Sequence, residues 1–94
     1  MFGIDRDADG VLVLEGRLDA QAVEMAQTVF AAVGESCRVD CGALEYISSA
    51  GIGLLVATQR RLSDENGALE LTNLSPHLLE VLRLSGLGHV FDLE

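Results

Sequence analysis

The sequence predicts an α/β fold: a mixed, mostly parallel β-sheet with an antiparallel N-terminal strand, packed with about three α-helices. Three observations point there. Short apolar runs of strand length alternate along the chain with segments whose apolar residues recur every three or four positions. Strands that alternate with helices pair in parallel through crossover connections, whereas an opening hairpin adds its strand antiparallel. The 94 residues, 49% of them hydrophobic and only one a proline, suffice for one core and not for two. Residues 1–94 are therefore read as a single domain.

The first strand is expected near Phe2 to Arg6, with the acidic stretch from Asp5 to Gly10 as the turn into a second strand over residues 11–16. Asp19 offers an N-cap, and Ala22, Ala26, Val29, Phe30 and Val33 hold helical spacing until Gly34 supplies a stop. Residues 36–41 place Cys37, Val39 and Cys41 on one face of a third strand, which Gly42 is expected to end. A connection through Ala43 to Ile47 leads into a second helix that opens at Ser48–Gly53 and ends at Asn66-Gly67. Its core arc is read as Ile52, Leu55, Val56, Gln59 and Leu62. Leu69 and Leu71 then alternate with Glu70 and Thr72 as in a strand. Ser75-Pro76 pairs a cap with the residue best suited to the first helical position, and Leu78, Leu79 and Leu82 carry a third helix to Gly86. A last short strand is expected over Val90 to Leu93.

Charge narrows the partners. Six basic residues, all arginine, stand against 15 acidic ones, for a net charge of -9. A polyanion needs a basic patch that releases counterions, and only Arg60 and Arg61 adjoin, so nucleic acid and anionic membrane surfaces are disfavoured. No run approaches the 18 apolar residues of a membrane span, so no membrane insertion is expected. The first residues carry acids where a secretory signal needs a basic start, so a cytoplasmic location is expected. Cys37 and Cys41 on one strand would lie roughly 13 Å apart, beyond disulfide reach, and are read as free thiols. No metal or cofactor is expected, because His77 and His89 lack ligand spacing to the cysteines, and the Asp5-Asp7-Asp9 turn lacks the later glutamate of a calcium loop.

Catalytic patterns also fail. Gly51 and Gly53 follow the serines instead of flanking one, so no nucleophile elbow forms. Without lysine there is no P-loop, and Val56 stands where a dinucleotide fingerprint needs its third glycine. The chain is read as a non-enzyme. What remains is Ser48-Ser49-Ala50-Gly51-Ile52-Gly53 at a helix start, where free amides and the helix dipole accept a serine cap and favour a phosphate. Ala50, Leu54, Ala57, Thr58 and Arg61 fall opposite the core arc of this helix, an apolar and small-residue face suited to a partner.

Several segments in order resemble one family: Gly16-Arg17-Leu18-Asp19, Val39-Asp40-Cys41, Tyr46 to Gly53, Leu71 to Pro76 and Leu84-Ser85-Gly86-Leu87. Together they are similar to a STAS domain of the anti-sigma factor antagonist type. The resemblance implies a partner switch: a small protein that binds an anti-sigma factor, itself a serine kinase, and so frees a sigma factor, with phosphorylation reversing the binding and a serine phosphatase restoring it. It also implies Asp19 and Asp40 as acids flanking the acceptor. In the family motif the acceptor hydroxyl immediately precedes the glycine; here Ala50 stands at that position, leaving Ser49, and next Ser48, as candidate phosphoacceptors. The partner face expected from the helical wheel and the start of this helix comprises Ser49, Ala50, Gly51, Gly53, Leu54, Ala57, Thr58 and Arg61. The alternative is a constitutive accessory subunit of a membrane transport complex, using the same helix without phosphoryl chemistry.

Overall fold

A computed structural model describes residues 1–87 and 89–93, with only the backbone given for residues 92 and 93. The elements follow in the order β1 (Phe2–Arg6), β2 (Leu12–Leu18), α1 (Ala22–Ala31), β3 (Cys37–Ile47), α2 (Ser49–Ser63), β4 (Leu69–Thr72), α3 (Pro76–Leu84) and β5 (Asp92–Leu93). Strand β1 pairs antiparallel with β2; β2, β3, β4 and β5 pair in parallel, so the strands lie side by side in chain order. The mixed sheet and three helices are the architecture read from the sequence.

Alternation along the strands divides the sheet into a dry and a wet face. Leu12, Leu14 and Leu18 of β2, Val39 and Cys41 of β3, and Leu69 and Leu71 of β4 are buried in one cluster with Ala26 and Phe30 of α1, Leu55 and Leu62 of α2, and Leu78 and Leu82 of α3. All three helices thus bury their apolar residues in the same core. The exposed side chains Glu15, Arg17, Arg38 and Tyr46 belong to the other phase of β2 and β3. There the Arg17 guanidinium stacks 4.2 Å from the Tyr46 ring centroid, and Arg38 Nε donates to Glu70 Oε1 at 2.7 Å.

Strand β3 runs through Gly42 instead of ending there, and Ala43–Ile47 is strand, not connection. The reason is pairing with β2: Val13 lies opposite Asp40 but Glu15 opposite Ala43, and Gly16 lies opposite Leu44 but Arg17 opposite Tyr46. Each step leaves one extra residue on β3, as a bulge does, and shifts the buried phase from Cys41 to Leu44 and then Ile47. Helix α1 starts at Ala22, three residues past the expected cap. The Asp19 carboxylate still takes the Ala22 amide at 3.0 Å, and the helix ends at Ala31. The end of α2 is set by Asn66 at φ 64°, which turns the chain so that the Asn66 and Gly67 amides bond the Ser63 and Leu62 carbonyls.

Candidate functional site

The C-terminal end of β3 feeds directly into α2. Leu18 and Ile47 are register partners at the ends of β2 and β3, and the Ser48 amide continues that pairing with a bond to the Leu18 carbonyl at 2.9 Å. Ser48 then caps α2: its Oγ accepts from the Gly51 amide at 3.1 Å and donates to the Leu18 carbonyl at 3.2 Å. The Ser48 hydroxyl is therefore committed to joining strand and helix. Ser49, the first helical residue, is exposed, and among the described residues its hydroxyl has no partner. The exposed hydroxyl sits on the positive end of a 15-residue helix, where the orphan amides of the first turn favour negative charge.

Asp19 and Asp40 part company. Asp19 is half-buried and follows Leu18, so it stands at the strand ends beside the start of α2. Asp40 is not at the end of β3; Ile47 lies seven positions further along the strand, about 23 Å at strand rise. Its carboxylate accepts from the Asn73 side-chain amide at 3.1 Å and the Gly42 amide at 2.9 Å, and these bonds, Asn73 first, hold its pKa below the ordinary 3.8. Asp40 therefore pins the β3 bulge to the end of β4 and does not flank Ser49. Beside it, burial pushes the Cys41 thiol up to about 12, with a smaller contribution from the Asp40 charge.

The faces of α2 differ from the expected ones. The residues it buries are Gly51, Leu55, Thr58 and Leu62, so the core arc is rotated roughly 65° from the one centred on Gln59. Thr58 is corrected from the partner face to the core; its hydroxyl donates to the Leu54 carbonyl at 2.9 Å, which lets a polar residue be buried at little cost. Gly51 is likewise buried and makes no surface contact. A Cβ there would stand 2.9 Å from the Leu18 carbonyl oxygen and Cγ and 3.0 Å from Ile47 Cγ1. Leu54 is half-buried against the core. Arg61 is exposed, but its guanidinium donates to the Val33 carbonyl at 2.7 Å and the Phe30 carbonyl at 2.9 Å, so it closes the C-terminal end of α1 and is engaged within the chain.

Ser49, Ala50, Gly53 and Ala57 do remain exposed on α2. Beside them runs a mostly apolar groove of about 500 Å³, walled by Ile52, Val56 and Arg60 of α2 and by Ser85 and Leu87 after α3. Ile52 and Val56, read as core, are half-buried: they pack against the core and also wall the groove, whereas Arg60, Ser85 and Leu87 are not expected from the sequence as part of a partner surface. One signal was there to find: in a chain with 15 acids, residues 49–63 contain none.

A family model described as "Mlab, STAS domain" matches residues 4–93. The chain is 36% identical over 91 residues to BtrV of Bordetella bronchiseptica, which bears the name anti-sigma factor antagonist; the match covers 90% of this chain and 78% of that protein. It is 30% identical over 60 residues to the anti-sigma-B factor antagonist of Bacillus subtilis, over 64% of this chain and 55% of that protein. The solved structure of the anti-sigma factor antagonist SpoIIAA in its unphosphorylated form is similar with a TM-score of 0.75 and 26% identity, over 100% of this chain and 88% of that one. The phosphorylated form of SpoIIAA is similar with a TM-score of 0.70, also at 26% identity, over 100% and 91% of the two chains.

Proposed function

The chain belongs to the STAS-domain family, and from that premise we propose that it is a partner-switching regulator that binds an anti-sigma factor and so relieves inhibition of a sigma factor. The names of its relatives, BtrV and the anti-sigma-B factor antagonist among them, support an anti-sigma factor as the partner. The single observation that carries the site is the division of labour between two adjacent serines: Ser48 spends its hydroxyl on the cap, while Ser49 presents its own at the helix start.

On this reading the anti-sigma factor is a serine kinase and Ser49 the acceptor. Transfer of the γ-phosphoryl group of ATP to Ser49 Oγ forms a P–O bond to serine, breaks the bond to the β–γ bridging oxygen, and releases ADP and the hydroxyl proton; a serine phosphatase hydrolyses the ester. The phosphate adds up to about two negative charges on the contact surface. The helix N-terminus offsets part of that charge within this chain, but a partner carboxylate facing it is repelled. The fold need not change for the partner to be released. The chain itself supplies a surface and an acceptor and has no turnover of its own.

The test is to incubate the protein with candidate anti-sigma kinases and ATP, map phosphopeptides, and measure binding before and after. Modification at Ser49 with weakened binding is expected. Modification confined to Ser48, Thr58 or Ser75 overturns the site. Failure to bind any anti-sigma factor, with capture of a transporter subunit in its place, overturns the function and favours a constitutive accessory subunit.

A further inference from the structure

The groove beside α2 narrows the chemistry of whatever binds there, an inference that rests on the partner-binding reading above. Among the described residues its lining is Ser49, Ile52, Gly53, Val56, Ala57, Arg60, Ser85 and Leu87: one arginine, no carboxylate, and apolar or small side chains elsewhere. On a chain of net charge -9 that composition stands out, and it extends to the whole helix, whose only charged residues are Arg60 and Arg61. Arg61 is committed to the Val33 and Phe30 carbonyls; Arg60 is exposed and, among the described residues, has no partner. At the far end of the groove Ser49 marks the positive end of the helix dipole. Arg60 lies eleven positions past Ser49, about 16 Å at helical rise, so the groove is apolar along its length and electropositive at both ends.

We propose that this groove seats an amphipathic helix of a partner protein, with small apolar side chains along Ile52, Val56 and Leu87 and carboxylates at its two ends, one on Arg60 and one at the start of α2. Gly53 fits that role. It lies inside a helix, where glycine costs stability, yet a Cβ built on it meets nothing within 4 Å, so nothing among the described residues requires the glycine. A bare backbone at the groove lip lets another helix approach closely. A second copy of this chain is a poor occupant, because two chains of net charge -9 repel. A basic segment would be drawn by the net charge but repelled locally by Arg60. Since Ser49 lines the same groove, a phosphate on it would face one of the occupant's carboxylates, giving the switch a local cause.

The experiment uses two synthetic peptides about 16 residues long, enough for about four helical turns. They share one Leu/Ala apolar face and carry either glutamate or lysine at its two ends, and each is titrated into the isotope-labelled chain while backbone amide shifts are followed. The glutamate peptide is expected to shift the amides of Ile52 to Ala57 and Ser85 to Leu87, to lose about tenfold in affinity against Arg60→Glu, and to lose several-fold against Arg60→Gln and Ser49→Asp. Thermal midpoints of the three variants check that the fold is kept. The inference is overturned if the glutamate peptide leaves the groove amides unmoved, if the lysine peptide occupies the groove more tightly, or if Arg60→Glu binds as the parent does. Shifts of the groove amides with protein concentration alone would assign the face to a second copy and overturn it too. Groove binding of the glutamate peptide without any anti-sigma factor binding would keep this inference and sink the functional reading; anti-sigma factor binding indifferent to Arg60 would do the reverse.

Discussion

Gly51 and Leu18 approach so closely that a Cβ on residue 51 would stand 2.9 Å from both the carbonyl oxygen and the Cγ of Leu18. The same Leu18 carbonyl accepts from the Ser48 amide and hydroxyl, so it is held in place and cannot yield. Gly51→Ala should therefore lower stability by about 1–3 kcal/mol, as overpacking does. Gly53→Ala, two residues on and open to solvent, should raise it by about 0.5–1 kcal/mol through helix propensity. Urea unfolding of both variants checks the pair; equal effects would contradict the packing at Gly51.

Arg61→Met should remove the closure of α1 while keeping an aliphatic side chain of similar length. Bonds from a charged donor to the Val33 and Phe30 carbonyls are worth about 1–3 kcal/mol together, so a loss of that order is expected in the unfolding midpoint. Partner affinity, measured where the variant is fully folded, should stay within about twofold, because this guanidinium faces α1.

Leu54→Glu and Ala57→Glu separate core from surface on one helix. Leu54 is half-buried against the core, so its variant should lose about 1–2 kcal/mol of stability. Ala57 is exposed on the groove, so its variant should fold within about 0.5 kcal/mol of the parent yet bind the partner at least tenfold more weakly. Calorimetry and affinity measured side by side decide whether the surface lies on the Ala57 side.

Cys41 is a thiol held protonated well into the alkaline range, its pKa pushed up to about 12 from an ordinary 9.0. With the native pKa above the unfolded one, this thiol's contribution to stability is complete below about pH 9 and is lost as pH rises toward 12. In native protein at pH 8 it should react with a thiol reagent far more slowly than after unfolding in guanidinium. Rapid native labelling at Cys41 would contradict its burial.

Asp40 carries the opposite sign. Its pKa is lowered below 3.8 by Asn73 and Gly42, so its contribution is present above that value and lost as pH falls through the lower native one. Asp40→Ala should be less stable than the parent at pH 6, and the gap should narrow in unfolding curves taken near pH 3.

The sequence made legible those features that local chemistry decides. Ser48 and Ser75 cap α2 and α3 because a serine oxygen beside free amides needs no distant partner. The continuation of β3 past Gly42 was hidden because its bulges are set by the neighbouring β2, not by the residues themselves. The phase of α2 is hard to read from sequence because Thr58 looks like a surface residue until its hydroxyl is seen to be satisfied within the helix, while Ile52 and Val56 both pack against the core and wall the groove. Asp40 is implied near Ser49 by the family resemblance, with β3 read as ending beside it, whereas β3 in fact runs on to Ile47; the role of Arg61 depends on where α1 ends.

The side-by-side order of the strands also bears on how the chain acquires its shape. Each strand lies next to the one made just before it, from β1 through β5, so no later segment has to be inserted between two already paired. Each crossover closes a loop of only a few tens of residues, at modest entropic cost. A nascent chain leaving the ribosome can thus zip its sheet in order of synthesis, each strand adding to the latest edge. That edge is hydrogen-bond hungry until its successor arrives, and during those moments the partly made sheet is most prone to pair with a neighbouring chain.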